Sequence, residues 1–283
     1  MARKKKEEMP EFVYALDNTP ARNYSVYKMK PLEKILYFLL AFAVGAFIGY
    51  VFYGGLAKDE FNNPTTMTYI LDVVICGGLG LLAGFAYIPM RTKQLAEKRR
   101  NLLRRQFREL LDTLTTSISS GKSVHDSFVA AYDDLGVIYS DEDYIMQELL
   151  IIRRGLANSV VIEDLLNDFG IRSGIDDIIS FAGVFETCSR RGGNMKDIIH
   201  SIQDILNGKM AVEEQIATVL SSSVMEQYIM LVMPVFIVAI IKFSSEDFAA
   251  NFTSAAGLAA TTIGVVLFAG AFALSRVIMN IKV

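Results

Sequence analysis

The chain has 283 residues, of which 52% are hydrophobic, and it contains no tryptophan. Its mean hydropathy of +0.34 is high for a soluble globular protein, and the apolar residues are concentrated in separate stretches. Two cysteines without CxxC spacing, Cys76 and Cys188, exclude a disulfide framework and a thiolate metal site. The net charge of −3 becomes informative only when the charges are placed along the chain.

Four apolar stretches approach the roughly 20 residues that a helix needs to cross a hydrocarbon core about 30 Å thick. They are Ile35–Leu56, Tyr69–Met90, Tyr228–Ile241 and Gly257–Met279. The third is short, and Glu226 interrupts its extension towards the N-terminus, so its inner boundary stays open. The pattern predicts a tail over residues 1–34, a two-helix membrane hairpin over 35–90, a soluble segment over 91–227 and a second membrane hairpin over 228–283.

The basic residues indicate the orientation of these spans. Lysine and arginine are abundant in the tail and directly after the second span, whereas the two short connections, residues 57–68 and 242–256, carry few of them. Since basic residues accumulate on the cytoplasmic side, we expect a multi-pass protein of the plasma (inner) membrane with the tail, the long segment and the C-terminus in the cytoplasm.

A basic run, RTKQLAEKRRNLLRR, follows the second span over residues 91–105. We interpret it as a topology determinant that faces anionic lipid headgroups. No groove-reading or aromatic-interleaved motif accompanies it, which argues against nucleic-acid binding. Beyond Arg105 acidic residues outnumber basic ones, so the body of the segment is expected to face a soluble partner.

The soluble segment shows helical patterns throughout. An apolar stripe, whose members are Leu103, Phe107, Leu110, Leu111, Leu114 and Ile118, predicts a first helix that ends at Gly121. Ser123 with Asp126 three residues on is a capping box for the second helix. Further helices are predicted over Glu142–Arg154, over Ser159–Phe169, and from Asp176 to Arg190-Arg191. The fold class is therefore all-α.

A long last helix is predicted from its cap at Asn194, and we consider that it runs on into the third span. Its near-heptad apolar positions indicate packing against almost antiparallel neighbours. These positions are Ile198, Ile202, Ile205, Val212, Ile216 and Val219.

The triplet Gly121-Lys122-Ser123 resembles the end of a nucleotide-binding P-loop. That motif requires a glycine at position 116, where the chain has Thr116, and a preceding strand, where the pattern predicts a helix. His125 and His200 lie in no metal-binding pattern, and Cys188 is expected to be a small buried core residue. We therefore predict no ATP hydrolysis, no enzyme activity, no cofactor and no metal.

Within the predicted spans, two features concern helix packing. Pro234 is expected to kink the third span. The glycines at 77, 78, 80 and 84 of the second span indicate close helix contacts rather than a pore.

The order of three motifs resembles the platform (F-type) inner-membrane proteins of type II secretion and type IV pilus systems, and most of all the TadB/TadC branch of Flp pilus assembly. Archaeal flagellar and pilus platforms are similar too. The motifs are RRQFRELLDTLTTSISSGKSVHDSF, FAGVFETCSRRGGNMKDIIHSI and the proline in LVMPVF. The resemblance covers Arg99 to the C-terminus.

The resemblance implies four membrane spans and a six-helix antiparallel cytoplasmic bundle without an active site. It also implies a function: the protein couples a separate hexameric ATPase to pilin extraction, paired with a paralogue or itself. The family motifs suggest partner-binding residues at two turns, which are Gly121, Lys122, Ser123, Arg190, Arg191, Gly192, Gly193 and Asn194. A Gly193→Val substitution is expected to abolish pilus assembly. The alternative function is a membrane signalling adaptor whose helical segment binds a regulator.

Overall fold

The computed structural model of the chain describes residues 10–57, 64–191 and 194–279. Helices account for most of them. The helices are α1 (Pro31–Tyr53), α2 (Thr66–Ser119), α3 (Val124–Leu135), α4 (Tyr144–Ala157), α5 (Ile162–Ser173), α6 (Asp176–Arg191), α7 (Met195–Ser244), α8 (Glu246–Phe252) and α9 (Ala255–Met279).

The predicted all-α class is confirmed for the described residues, and the tail adds one short β-hairpin. Strands β1 (Phe12–Tyr14) and β2 (Pro20–Arg22) pair antiparallel, with Val13 opposite Ala21. Asn18 turns the chain with a left-handed φ of 59°, and Asp17 Oδ1 accepts a hydrogen bond from Thr19 N at 3.0 Å. With three residues in each strand, the alternation is too short to be recognised in the sequence.

The chain forms two compact units. Unit 1 comprises the residues up to Lys28 together with Thr92–Val212, and unit 2 comprises Met29–Arg91 with the residues from Glu213 onward. Two helices contribute to both units, because α2 contains the boundary after Arg91 and α7 the boundary after Val212. The second predicted span, the basic run and the first predicted soluble helix are thus one helix, α2.

The core of unit 1 forms where the helices turn their apolar stripes towards each other. The stripe predicted along α2 is confirmed, since Leu103, Phe107 and Leu114 are fully buried. Phe107 meets Phe169 and Phe181 edge-on, with ring centroids 6.1 and 5.4 Å apart. Such aromatic contacts add about 0.5–1.5 kcal/mol per pair beyond the area that they bury.

The buried face of α7 differs from the predicted one. Ile199, Leu206 and Met210 face the core of unit 1, whereas Ile205 and Val212 are exposed. Of the predicted near-heptad positions, Ile202 does pack against the core of the unit, so the prediction is wrong for Ile205 and Val212. Both sets repeat at helical spacing, and the sequence pattern alone could not distinguish them.

Unit 2 contains apolar helical segments from α1, α2, α7 and α9. Three helices in the described part of the chain, α1, α2 and α7, are long and apolar enough to cross a membrane. The fourth predicted span falls on α9, whose described apolar stretch, Ala255–Ala271, is shorter. The four-span arrangement accordingly stays a prediction.

The predicted role of the glycines in the second span is right for two of the four. A Cβ on Gly80 would lie 2.8 Å from the Phe42 ring, and one on Gly84 would lie 2.6 Å from the Phe38 ring. These two glycines let α1 and α2 approach closely. A Cβ on Gly77 or Gly78 would meet nothing within 4 Å, so the packing interpretation is wrong there.

Candidate functional site

The turn at Gly121 has the geometry that the sequence predicted. The α2 helix ends at Ser119, and Gly121 adopts a left-handed φ of 93°. The Ser123 hydroxyl caps α3 by accepting a hydrogen bond from Asp126 N at 3.1 Å, and it donates to Asp126 Oδ2 at 2.7 Å. Because the turn follows a helix and not a strand, it lacks the setting of a P-loop. Lys122 is exposed between the two helices.

The cap at Ser123 also affects a neighbouring carboxyl group. The hydrogen bond from the Ser123 hydroxyl, and then the one with His125, lower the pKa of Asp126 below its usual value. A carboxylate in the first turn of a helix also interacts favourably with the helix dipole.

The second predicted turn follows α6. Arg190 pairs with Glu186 at 2.8 Å, and Arg191 ends the helix with its side chain exposed. Asn194 caps α7, because its Oδ1 accepts a hydrogen bond from Lys196 N at 3.2 Å. Gly192 and Gly193, which we proposed as partner-binding residues, lie outside the described residues.

Contacts between α2, α6 and α7 show how the two turns relate. Asp177 of α6 pairs with Arg104 of α2 at 2.6 Å and with Lys209 of α7 at 2.9 Å, so these three residues lie at one level. About one turn nearer the C-terminal ends of α2 and α6, Phe181 of α6 contacts Phe107 of α2. In the same direction, Gln203 of α7 hydrogen-bonds Asp112 of α2. Helices α2 and α6 thus run parallel, and α7 runs antiparallel to both.

This register brings the two turns to the same end of unit 1. At about 1.5 Å per residue, the end of α2, the end of α6 and the start of α7 each lie about 21 Å beyond the level of Asp177. We call this end the turn face, formed by Gly121, Lys122, Ser123, Arg190, Arg191 and Asn194. Residues that the sequence places some 70 positions apart therefore share one surface.

A polar groove of about 380 Å³ lies beside Lys122. Its lining residues also include Asp112, Thr116, Ser120 and Asp134. The turn face and this groove combine exposed cations with carboxylates and hydroxyl groups. Such a surface suits contact with a charged protein partner.

The structure also contains a buried polar network that the sequence analysis missed. Arg172 donates to both carboxylate oxygens of Glu148, at 2.8 and 2.7 Å, and its Nε donates to Asp168 at 2.7 Å. The Tyr24 hydroxyl donates to Glu148 Oε1 at 2.9 Å. Tyr24, Glu148 and Arg172 are 0%, 1% and 5% exposed. The network fastens the N-terminal segment to α4 and α5.

Opposing effects act on the titrating groups of this network. Burial raises the pKa of Glu148, and the hydrogen bonds and charge of Arg172 act against that rise. For Arg172, burial favours a lower pKa, but its hydrogen bonds with Glu148 and the nearby carboxylates raise the pKa overall. Burial, followed by the charge of Glu148, raises the pKa of Tyr24. We conclude that Tyr24 stays neutral and that Arg172 stays charged.

A sequence signal for this network was present. Glu148 interrupts the apolar stripe that Ile145, Leu149 and Ile152 form on α4. Arg172 extends the stripe of Phe169 on α5 in the same way. Charged residues at core positions of two helices are nearly always paired, so opposite charges in two apolar stripes predict an ion pair.

Part of the basic run serves the fold. Arg99 is buried, lies 3.2 Å from Glu11 and places its guanidinium 4.5 Å from the centre of the Tyr27 ring. Arg104 pairs with Asp177, as described above. The interpretation of the run as a lipid-facing determinant is therefore wrong for these two arginines. Their partners lie far away in sequence, which concealed the pairing.

Unit 2 has its own polar contact near the end of the third predicted span. Lys242 of α7 donates to the carbonyl oxygens of Tyr50, Val51 and Gly54 at 3.1, 3.0 and 2.7 Å. These carbonyls lie at the C-terminal end of α1, where helix carbonyls generally run out of intrahelical donors; the Tyr50 carbonyl also accepts a hydrogen bond from Gly54 N at 2.9 Å. Pro234 lies inside α7, which continues through it. The kink at Pro234 stays a prediction.

Cys188 is neither fully buried nor exposed, and its thiol is free. The prediction of a buried core residue is therefore wrong for Cys188, which lies at the margin of the buried face of α6.

Comparison with protein-family models, with curated proteins and with solved structures finds no significant match.

Proposed function

We propose that the protein is a non-enzymatic platform of a type IV or Flp pilus or a type II secretion machine. In this function it couples a separate hexameric ATPase to the extraction and assembly of pilin subunits. The proposal places it in the plasma (inner) membrane as a multi-pass protein, with unit 1 and both termini in the cytoplasm.

The observation that carries the proposal is the shared position of the two turns. The sequence resemblance to platform proteins depends on the motifs around Gly121 and around Arg190–Asn194. Both motifs form caps at the same end of unit 1, about 21 Å from the level of Asp177. A partner that contacts this end can engage both motifs at once.

The helix that begins at this face gives a means of transmission. Helix α7 starts at Met195, next to the Asn194 cap, and includes the third predicted span up to Ser244. Because a helix transmits displacement along its axis without a flexible joint, movement of the partner at Asn194 would be passed along α7. Three helices that are long and apolar enough to cross a membrane support the membrane location.

Site-specific photo-crosslinking in living cells tests this proposal. A photoreactive amino acid at Lys122 or at Arg190 should capture an ATPase of the secretion class. The matched control is Val137, which is 88% exposed in the loop before α4. That loop leads to Asp143, which hydrogen-bonds Gln106 near the opposite end of unit 1.

Capture at Lys122 and Arg190 but not at Val137 would support the platform. Capture of a response regulator or another signalling protein at the turn face would favour the adaptor function instead. Equal capture of the ATPase at all three positions would argue against the turn face as its docking surface.

A further inference from the structure

The β-hairpin of the tail turns one strand to the surface and the other to the body of unit 1. All three residues of β1 are exposed, whereas Ala21 of β2 is 2% exposed and packs with Ala15 and Ile151. Directly after β2, Tyr24 N donates a hydrogen bond to Arg172 O at 3.0 Å. The hairpin is therefore held in place through β2 and its flanks, and β1 is the outer strand.

The register of the hairpin decides which backbone groups β1 turns outward. Asn23 N donates to Glu11 O at 2.8 Å, so these two residues form a hydrogen-bonded pair. Hydrogen-bonded and non-hydrogen-bonded pairs alternate along an antiparallel ladder. Phe12 and Tyr14 are consequently non-hydrogen-bonded positions, whose N–H and C=O groups point away from β2. Within the described residues, no hydrogen bond reaches these four groups.

The two edges of the hairpin differ in a way that favours the addition of a strand to β1. Pro20 has no N–H group, so the edge of β2 lacks a donor and is protected in the way that edge strands commonly are. Strand β1 contains neither a proline nor a charged residue. Its outward groups at Phe12 and Tyr14 are two residues apart, which is the spacing at which a further strand makes its hydrogen bonds.

The side chains at this edge form an exposed apolar surface. Phe12 is 52% exposed and Tyr14 is 76% exposed. Because side chains alternate along a strand, both rings lie on the face opposite to Ala15, which packs on the body of the unit. Apolar residues at alternate positions of an added strand would cover these rings, as cross-strand aromatic and β-branched pairs do.

The charge of the tail argues against a second copy of this chain as the added strand. Residues 1–30 carry seven basic and four acidic residues, so two copies of the tail repel each other. A segment that carries carboxylates beside its apolar residues is attracted instead.

We infer that β1 accepts, as a third strand, an extended acidic segment of another protein with apolar residues at alternate positions. In such strand addition the backbone hydrogen bonds supply affinity and the alternate side chains supply specificity. An isolated two-stranded hairpin is marginally stable, but here unit 1 holds the edge in the shape that binding requires. The inference does not depend on the proposed function. Glu11 pairs with Arg99, which lies about 30 Å along α2 from its end at the turn face.

Selection from a displayed library of short random peptides tests the inference on the full chain in nanodiscs. The recovered peptides should have apolar residues at alternate positions together with aspartate or glutamate. Hydrogen exchange with single-residue resolution then locates a recovered peptide. At saturation it should slow exchange of the Phe12 and Tyr14 amides about tenfold or more. The Arg22 amide, which points to the opposite edge of the hairpin, should be unchanged.

A matched pair of variants separates the backbone edge from the side chain. Tyr14→Pro removes the outward N–H without removing a hydrogen bond of the hairpin, whereas Tyr14→Ala removes the ring and keeps the N–H. A recovered peptide should bind Tyr14→Pro about tenfold more weakly than Tyr14→Ala. Equal protection of the Asn23 amide in both variants reports an intact hairpin, because its N–H bonds Glu11. If Tyr14→Pro loses that protection, the exchange pattern of the parent decides.

Several results would overturn the inference. The first is that no peptide is recovered, or that the recovered peptides show no alternation. The second is equal binding to the two variants while the hairpin is intact, or protection of the Arg22 amide equal to that of Tyr14. A synthetic peptide of residues 11–16 represents a second copy of the chain. If it binds as tightly as the recovered peptides, the edge pairs with itself and the acidic partner is rejected.

Discussion

Replacing Arg172 by methionine should destabilise unit 1 strongly. Methionine has a similar length and is apolar, so the change removes the charge and three hydrogen bonds and conserves most of the volume. Glu148 is 1% exposed and would keep only the Tyr24 hydroxyl as a donor. Breaking a buried ion pair on one side costs about 3–5 kcal/mol, because the other charge remains buried without a partner.

Hydrogen exchange of the full chain in detergent, measured by mass spectrometry, reports this loss locally. At about 1.4 kcal/mol per factor of ten, amides of α4, α5 and the segment around Tyr24 should exchange roughly a hundred to several thousand times faster. The control is Arg154→Met on α4, which removes an arginine that is exposed. That change should alter exchange by less than about threefold, as is usual for surface substitutions.

A double variant separates charge from packing. In the Arg172→Met background, Glu148→Gln removes the uncompensated carboxylate and should restore part of the lost protection. If Arg172→Met exchanges within threefold of the parent, the network does not fasten the N-terminal segment. If Glu148→Gln makes exchange faster still, the reasoning about the unpaired charge is wrong.

Two further predictions concern helix packing and capping. Gly84→Val should disrupt the α1–α2 contact at Phe38 and lower the melting temperature in detergent. Gly77→Val should leave the melting temperature nearly unchanged, because the space beside Gly77 is open. Equal melting temperatures of the two variants would refute the packing assigned to Gly84. Ser123→Ala should destabilise α3 by about 1 kcal/mol, measured by hydrogen exchange, and should raise the pKa of Asp126 towards its ordinary value in an NMR titration. The pKa of Asp126 is lower in the folded state than in the unfolded state, so its ionised carboxylate stabilises the fold at pH values above the unfolded pKa. This contribution is lost as the pH falls through the folded pKa. An unchanged Asp126 pKa in Ser123→Ala would contradict the assignment of the shift to the Ser123 hydrogen bond.

Local features of the fold could be predicted from the sequence. The capping box at Ser123, the stop at Gly121 and the cap at Asn194 all depend on residues within a few positions of each other. The apolar stripe of α2 was equally readable, because a helix repeats its buried face at three- and four-residue steps. The same caps and helix ends identify which residues of the sequence belong to the turn face.

Contacts between distant residues could not be predicted in this way. The hairpin at Phe12–Tyr14 depends on pairing over three residues, and the Tyr24–Glu148 hydrogen bond joins residues 124 positions apart. The two apolar stripes of α7 have the same period, so only packing decides which one is buried. For the same reason, the meeting of the two turns at one end of unit 1 emerged only from the register of Asp177, Arg104 and Lys209.

The most direct test of the platform function is the ATP hydrolysis rate of a secretion-type hexameric ATPase from the same genome, measured with and without the full chain in detergent. The proposal predicts that the two proteins co-purify and that the rate rises. A Lys122→Glu, Arg190→Glu variant should lose the stimulation, and Val137→Ser should keep it. An unchanged hydrolysis rate together with no co-purification would contradict the proposed function.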